Sequence, residues 1–351
     1  MRTQEEIMKK WPTNWTAPMV SVRCITYNQE SYIAKALDGF LMQETDFPFE
    51  IVVHDDASTD RTADIIREYV AKFPKIIKPI YETENQYSKR DGSIARIILP
   101  FLRGKYVAFC EGDDYWCDAN KLQLQYEAME LHPECSICLH KVQVIAENGE
   151  KINSIIPVGK NFKTGFITQE EFAYCIISQA TVCFQLSSYF TKTDFLIRIQ
   201  KNRPDYYKFS TAGDGKLLRF CLNEGKTFFI DRIMSCYRTQ SCGSWNSREN
   251  STKEQKKKHM EEMFKLDDSF DAYSDYRFHD FVENGKKYRF YKYLVITRQY
   301  KELFKKENKE KLPPIPLARK LYYRTLSLFP WVRKVVVLLR KYVRKRGGFS
   351  S

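Results

Sequence analysis

The sequence predicts an α/β fold: a mostly parallel central sheet, flanking helices and a C-terminal helical extension. Three observations predict it. Buried-type strand segments alternate with helix-type segments as far as Leu131, the pattern of a parallel sheet covered on both faces. Three of those strands end in polar or acidic loops, TYN, HDDASTD and EGDDYW. The 351 residues are 43% apolar and 15% aromatic, enough to bury the core of one large domain or two modest ones. That composition also excludes disorder for the bulk of the chain, and the length excludes a small disulfide scaffold.

The elements follow in order. Met19 to Ile25 (MVSVRCI) is a β-branched apolar run, a first strand that opens into TYNQE. Ser31 then caps a helix whose apolar face is Ile33, Ala36, Leu37, Phe40 and Leu41, a 3.6-residue period. FEIVVHDD reads as a second buried strand. Ser58 or Thr59, with Asp60 in the first turn, starts a helix presenting Ala63, Ile66, Tyr69 and Val70. Ile76 to Tyr81 is a weak strand, and Gly92 to Leu102 is a helix that Pro100 ends or kinks. KYVAFC is a third buried strand running into EGDDYW, followed by a helix from Lys121 to Leu131. From about 136 to 245, SICLHKVQVI, TVCFQLSSYF and TFFIDRIMSCYR read as strands with helices between. Residues 251–310 are charged, aromatic and helix-like, and ENKEKLPPIP is a polar, Pro-rich linker.

In such sheets ligands bind at the carboxyl ends of strands. Glu111, Asp113 and Asp114 crowd one loop there, and Asp55 and Asp56 crowd another. Adjacent carboxylates repel unless a cation or a set of donors receives them. A lone DD is most often a solvated turn, but two acidic loops on one sheet edge favour a divalent cation, Mg²⁺ or Mn²⁺, held by one or two carboxylates plus substrate phosphates. Neither G-x-G-x-x-G nor G-x-x-x-x-G-K-[ST] occurs, so a glycine phosphate cradle is not expected. The five histidines lack zinc-site spacing, and Cys135 and Cys138 form a single CxxC read as structural.

The series VSVRCITYNQE, ALDGFLMQ, FEIVVHDDASTDRT, RGKYVAFCEGDDYW and NKLQLQ resembles family 2 glycosyltransferases of the bacterial surface-polysaccharide type, across roughly residues 19–245. The resemblance implies a GT-A fold binding a nucleotide diphosphate sugar, with UDP the family's commonest carrier. It sets Thr26 and Tyr27 against the nucleoside and gives Asp55 and Asp56 contacts to base or ribose. Asp113 then ligates the metal, with Glu111 in place of the usual first Asp, while Asp114 and Trp116 lie nearer sugar and acceptor. Asp214 in TAGDGKLLRF is the general base that the resemblance implies, against the alternative of a helix-start carboxylate. Arg238 contacts diphosphate or is a salt-bridging Arg. Trp245 stacks on a sugar or belongs to the core, and Gln240 stands where the family often has His. The implied reaction inverts the anomeric centre.

The charge is unevenly placed. The whole chain carries +13, but Lys311 to Ser351 holds eleven basic residues and no acidic one, leaving the body nearly neutral. LARKLYYRTLSLF and WVRKVVVLLRKYVRKR are basic and amphipathic, suited to anionic lipid or to packing on the body. The expected organisation is an N-terminal segment (1–18), a GT-A domain (19–245), a helical extension (246–310) and a membrane-associating tail (311–351). The expected setting is cytoplasmic and peripheral, at the inner face of the cytoplasmic membrane, with a saccharide or lipid-linked acceptor and no nucleic acid. The N-terminus has no signal-peptide core, and no apolar run is long enough to span a bilayer. Two other classes fit parts of the pattern: a nucleotidyltransferase, which consumes a nucleoside triphosphate, and a basic-tailed nucleic-acid-binding protein.

Overall fold

The computed structural model describes residues 2–179, 183–209, 213–239, 252–329 and 331. Strands β1 (Val20–Thr26), β2 (Phe49–Asp55), β3 (Ile77–Tyr81) and β4 (Tyr106–Phe109) pair in parallel in the order β3-β2-β1-β4. Beyond β4 the sheet is mixed. It continues through β5 (Tyr115–Trp116), β6 (Cys135–Ile145), β7 (Lys151–Ile156), β8 (Gly165–Ile167), β9 (Phe190–Lys192) and β10 (Lys226–Arg238). β9 lies antiparallel between β4 and β6, β6 and β10 are parallel, and β10 carries β5 and β8 antiparallel. Parallel pairing therefore runs unbroken through the first four strands and recurs between β6 and β10. Only β6 and β7 form a short hairpin; the other antiparallel neighbours come together from distant parts of the chain.

Alternation along each strand sorts side chains into two cores. Val20, Val22, Ile51, Val53 and Ala108 point to one face, where α1 (Gln4–Met8), α2 (Ile33–Leu41), α3 (Thr62–Lys72) and α5 (Lys121–Leu131) cover them. α4 (Ser93–Ile98) lies on the other side, where Val52, Val107, Phe109 and Leu139 meet α6 (Gln169–Ala173), α7 (Thr193–Lys201) and α8 (Gly213–Glu224). Leu266 and Phe270 of α9 (Lys253–Tyr273), Phe278, and Val282 of α10 (His279–Ile296) belong to this same second core. The expected extension thus packs into the body rather than beside it. α11 (Leu317–Leu328) docks through Leu326 and through Tyr323, which stacks on Tyr300 and shares a hydroxyl contact of 2.9 Å with Tyr291.

Two expected helix starts move. α3 begins at Thr62, because Ser58, Thr59 and Asp60 are spent joining loops. The Asn28 N–H donates to Ser58 Oγ and Asn28 Oδ1 accepts from the Thr59 N–H, while the Glu30 N–H donates to Asp60 Oδ2. The loop after β1 is thereby stitched to the loop after β2. α2 begins at Ile33 without a side-chain cap from Ser31.

Candidate active site

The carboxyl ends of β1 and β4 meet at one edge of the sheet. β1 ends at Thr26, whose hydroxyl donates to Gln29 Oε1 at 2.8 Å, and Tyr27 follows it half-exposed. Gly112 packs on this corner: its N–H donates to the Ile25 carbonyl at 3.0 Å. A Cβ there would lie 2.5 Å from Gln29 Oε1 and 2.7 Å from Thr26 Oγ1, so only glycine lets the acidic loop close on the β1 loop. Sequence reading passed over Gly112, although a glycine between Glu111 and Asp113 was the available signal.

The acidic loop is unequal in its parts. Glu111 is exposed, yet protein atoms surround its carboxyl group. That desolvation, then Asp113 and then Asp214, pushes its pKa up to about 7. Asp113 is half-buried. Asp114 is 3% exposed and accepts the Arg238 N–H at 2.9 Å; burial, followed by Asp113, raises its pKa well above the usual carboxylate range. Tyr237, next to Arg238 on β10, is pushed up to about 12 by burial and then by Asp114, Asp113, Glu111 and Asp214 in that order. Asp214, in the first turn of α8, therefore lies within Coulombic reach of Glu111 in the loop after β4, a hundred residues earlier in the chain.

Other expected residues have different surroundings. Asp55 and Asp56 are buried. Asp55 takes the Ser58 hydroxyl and N–H, and burial raises its pKa. Asp56 takes the Gln86 and Tyr87 N–H groups at 2.7 and 3.0 Å, so both its oxygens organise the loop after β3. Arg238 is buried: its Nε donates to the Asp113 carbonyl at 3.0 Å, and its Nη1 to the carbonyls of Ala146 and Glu147. Its guanidinium lies 4.4 Å from the Tyr32 ring centroid. Arg238 thus fastens the acidic loop to β10, and these backbone partners occupy it rather than a carboxylate. Trp116 departs from expectation as well. It is 1% exposed, edge-on to Phe40 and 4.0 Å below the Lys121 ammonium, so its ring belongs to the core and is not open to a sugar. Its place follows from β5, which pairs Trp116 with Ser235 and turns the ring toward α2. Trp245 and Gln240 lie outside the described residues.

Arg23 is a second residue the sequence reading missed. It sits on β1 beside Phe109, within Coulombic reach of Glu111, and burial lowers its pKa. A basic residue inside a β-branched strand was the signal. Among the described residues no three His, Cys, Asp or Glu side chains converge into a metal cluster. The donors at hand are the Glu111 and Asp113 carboxylates on an open cleft, which suits a cation that completes its shell with phosphate and water.

Residues 21–190 match the model of glycosyl transferase family 2. An uncharacterized protein of Mycobacterium tuberculosis is 45% identical over 139 residues, 40% of this chain and 39% of that protein. The putative teichuronic acid biosynthesis glycosyltransferase TuaG of Bacillus subtilis is 33% identical over 145 residues, 41% of this chain and 54% of TuaG. The chain thus spans between about two-fifths and about half of the length of these relatives. WfgD of Escherichia coli, a UDP-Glc:alpha-D-GlcNAc-diphosphoundecaprenol beta-1,3-glucosyltransferase, is 28% identical over 44% of this chain and 53% of its own. Among solved structures, S. aureus TarS 1-349 in complex with UDP-GlcNAc superposes with a TM-score of 0.54 over 83% of this chain and 78% of that one, at 21% identity. That likeness establishes the shared GT-A-like fold, and residues 21–190 carry the glycosyl transferase family 2 domain.

Proposed function

We propose that this chain is a metal-dependent, inverting glycosyltransferase. It moves a sugar from a nucleotide diphosphate donor, a UDP-sugar, to a saccharide or lipid-linked acceptor in the assembly of a capsule, O-antigen or exopolysaccharide. The observation that carries this reading is the convergence of Glu111, Asp113 and Asp214 on one cleft beside the half-exposed Tyr27. The donor and acceptor classes draw support from the name of WfgD, which specifies them for that protein, and the setting in surface-polysaccharide assembly from that of TuaG.

Each residue then has work to do. Tyr27 presents a ring face to the nucleobase, and the loop held by Asp56 closes the nucleoside side. Asp113, with Glu111 beside it, would hold Mn²⁺ or Mg²⁺. A bound cation would also relieve the repulsion from Asp113, which adds to the burial that raises the pKa of Glu111. When bound, a divalent cation withdraws charge from the diphosphate leaving group. Asp214 takes the proton of the acceptor hydroxyl as its oxygen attacks the anomeric carbon from the face opposite the diphosphate. The C–O bond to the diphosphate breaks as the glycosidic bond forms, so an α-linked donor gives a β-glycoside.

The tail carries the membrane reading. α11 docks by one side, while Leu317, Leu321 and Leu328 stay exposed on the other with Phe329 and Trp331 beyond. Eleven basic residues and no acidic one from Lys311 onward add attraction to anionic lipid. No described helix is long and apolar enough to cross a membrane. We therefore place the enzyme peripherally, on the cytoplasmic face of the membrane.

Calorimetric titration with UDP, GDP and dTDP, each with and without Mn²⁺, tests the reading. Metal-dependent binding of UDP is the expected result. A folded protein that binds none of the three would overturn it.

A further inference from the structure

Behind the first turn of α8 lies a buried ion triad. Asp267 of α9 is fully buried; its Oδ1 accepts from Arg219 Nη2 and its Oδ2 from Arg289 Nη1 of α10, both at 2.6 Å. The Arg219 side chain is 2% exposed and the Arg289 side chain 11%. Arg219 uses its remaining arm on the Gly215 carbonyl at 3.0 Å, and the Gly215 N–H donates in turn to Asp214 Oδ1 at 2.8 Å. A continuous chain of short bonds therefore runs from α10 through α9 and α8 to the carboxylate facing the cleft. The close approach of α10 is itself prepared, since a Cβ on Gly285 would lie 2.5 Å from the Ile177 carbonyl and 2.8 Å from Arg289 Nη1.

Stability alone is a poor account of this triad. Two guanidinia and one carboxylate taken out of water cost several kcal/mol each, and hydrophobic replacements of similar volume are often neutral or stabilising. What an apolar trio could not do is hold the Gly215 carbonyl, and with it the first turn of α8, at a fixed place. We infer that Arg219, Asp267 and Arg289 are positioning residues through which the two helices after residue 252 set the location of Asp214. The inference rests on Asp214 acting as the base. It makes α9 and α10 part of the catalytic unit, although the family match ends at residue 190.

The test is the full chain carrying Arg219→Met, Asp267→Leu and Arg289→Met together, so that no buried charge is left alone. Three readouts are compared with the parent: thermal stability, Mn²⁺-dependent UDP affinity, and UDP release from UDP-glucose or UDP-N-acetylglucosamine. The expected triple variant melts near the parent and binds UDP within about twofold. Its KM for the donor is unchanged, its kcat falls about tenfold or more, and amide exchange at Leu217, Leu218 and Arg219 quickens. Arg219→Lys, which keeps the charge but loses the fork, serves if the triple variant fails to fold, and should show the same kcat loss at constant KM. Asp214→Asn is measured alongside. If it is inactive while the triad variants keep parental kcat and exchange, the positioning inference is overturned and the base reading survives. A fully active Asp214→Asn overturns both.

Discussion

At the scale of single residues, the carboxylates of the site differ in their burial and in the backbone groups they accept. Asp56 is bound by two backbone N–H groups and Asp114 by one, whereas Glu111 is exposed and Asp113 half-buried at the open edge. Asp113→Ala should therefore abolish the Mn²⁺-dependent part of UDP binding in calorimetry, and unchanged metal dependence would remove Asp113 from that role. Asp214→Asn should leave UDP affinity intact and lower sugar transfer about 10²-fold or more, the span of a lost general base. Lys121 gives a pH test far from the chemistry. It is fully buried over Trp116 and bonded to Gln125 Oε1 at 2.7 Å, and burial lowers its pKa from 10.5 to about 7. Between those values the unfolded chain binds a proton that the folded chain refuses, so stability rises with pH by up to about 1.4 kcal/mol per unit. Lys121→Met should flatten this: in urea unfolding, the parent should gain on the variant by about 2 kcal/mol between about pH 7.5 and 9. A gap that does not change with pH would mean that Lys121 stays charged in the fold.

At the scale of elements, the acidic loop is held from three sides: the β1 loop through Gly112, β10 through Arg238, and α2 through β5. The last contact sets backbone against backbone. A Cβ on Gly39 of α2 would come within 2.7 Å of the Trp116 carbonyl and 3.0 Å of its N–H, both backbone atoms that cannot swing away. Gly39→Ala should destabilise by about 1–3 kcal/mol, the usual range for overpacking, despite alanine's better helix propensity. Denaturant unfolding would show it, and a neutral or stabilised variant would mean that α2 can slide off β5. The first-half elements were legible because they are local. The 3.6-residue period of α2 and the β-branched runs of β1, β2 and β4 need no partner to be recognised. β7 and β8 were missed, because their short and largely exposed runs become strands only by pairing with β6 and β10.

At the scale of the whole molecule, the helices after residue 252 are load shared with the catalytic domain. Leu266, Phe270, Phe278 and Val282 are 0–5% exposed. At about 1.5–3 kcal/mol each, their burial contributes on the order of 8 kcal/mol, comparable to the net stability of a typical domain. A chain ending at residue 252 should therefore be insoluble or unfolded by circular dichroism. A chain ending at residue 310 should fold and bind UDP but lose binding to phosphatidylglycerol vesicles. Retained vesicle binding would locate the membrane surface elsewhere, and a shift to oligonucleotide binding in the full chain would favour the nucleic-acid partner.

By itself the sequence determined the α/β alternation, the acidic loops at one sheet edge and the basic tail. Each is a local matter of period, composition or adjacency along the chain. Only the tertiary structure decided which groups meet. It brought Asp214 within Coulombic reach of Glu111, fastened Arg238 to backbone carbonyls, withdrew Trp116 into the core and tied Asp267 to two arginines on neighbouring helices. Those outcomes depend on strand register and helix packing between residues tens to more than a hundred positions apart. A side chain's identity states what it can bond, but burial and the competing partners around it decide what it does bond.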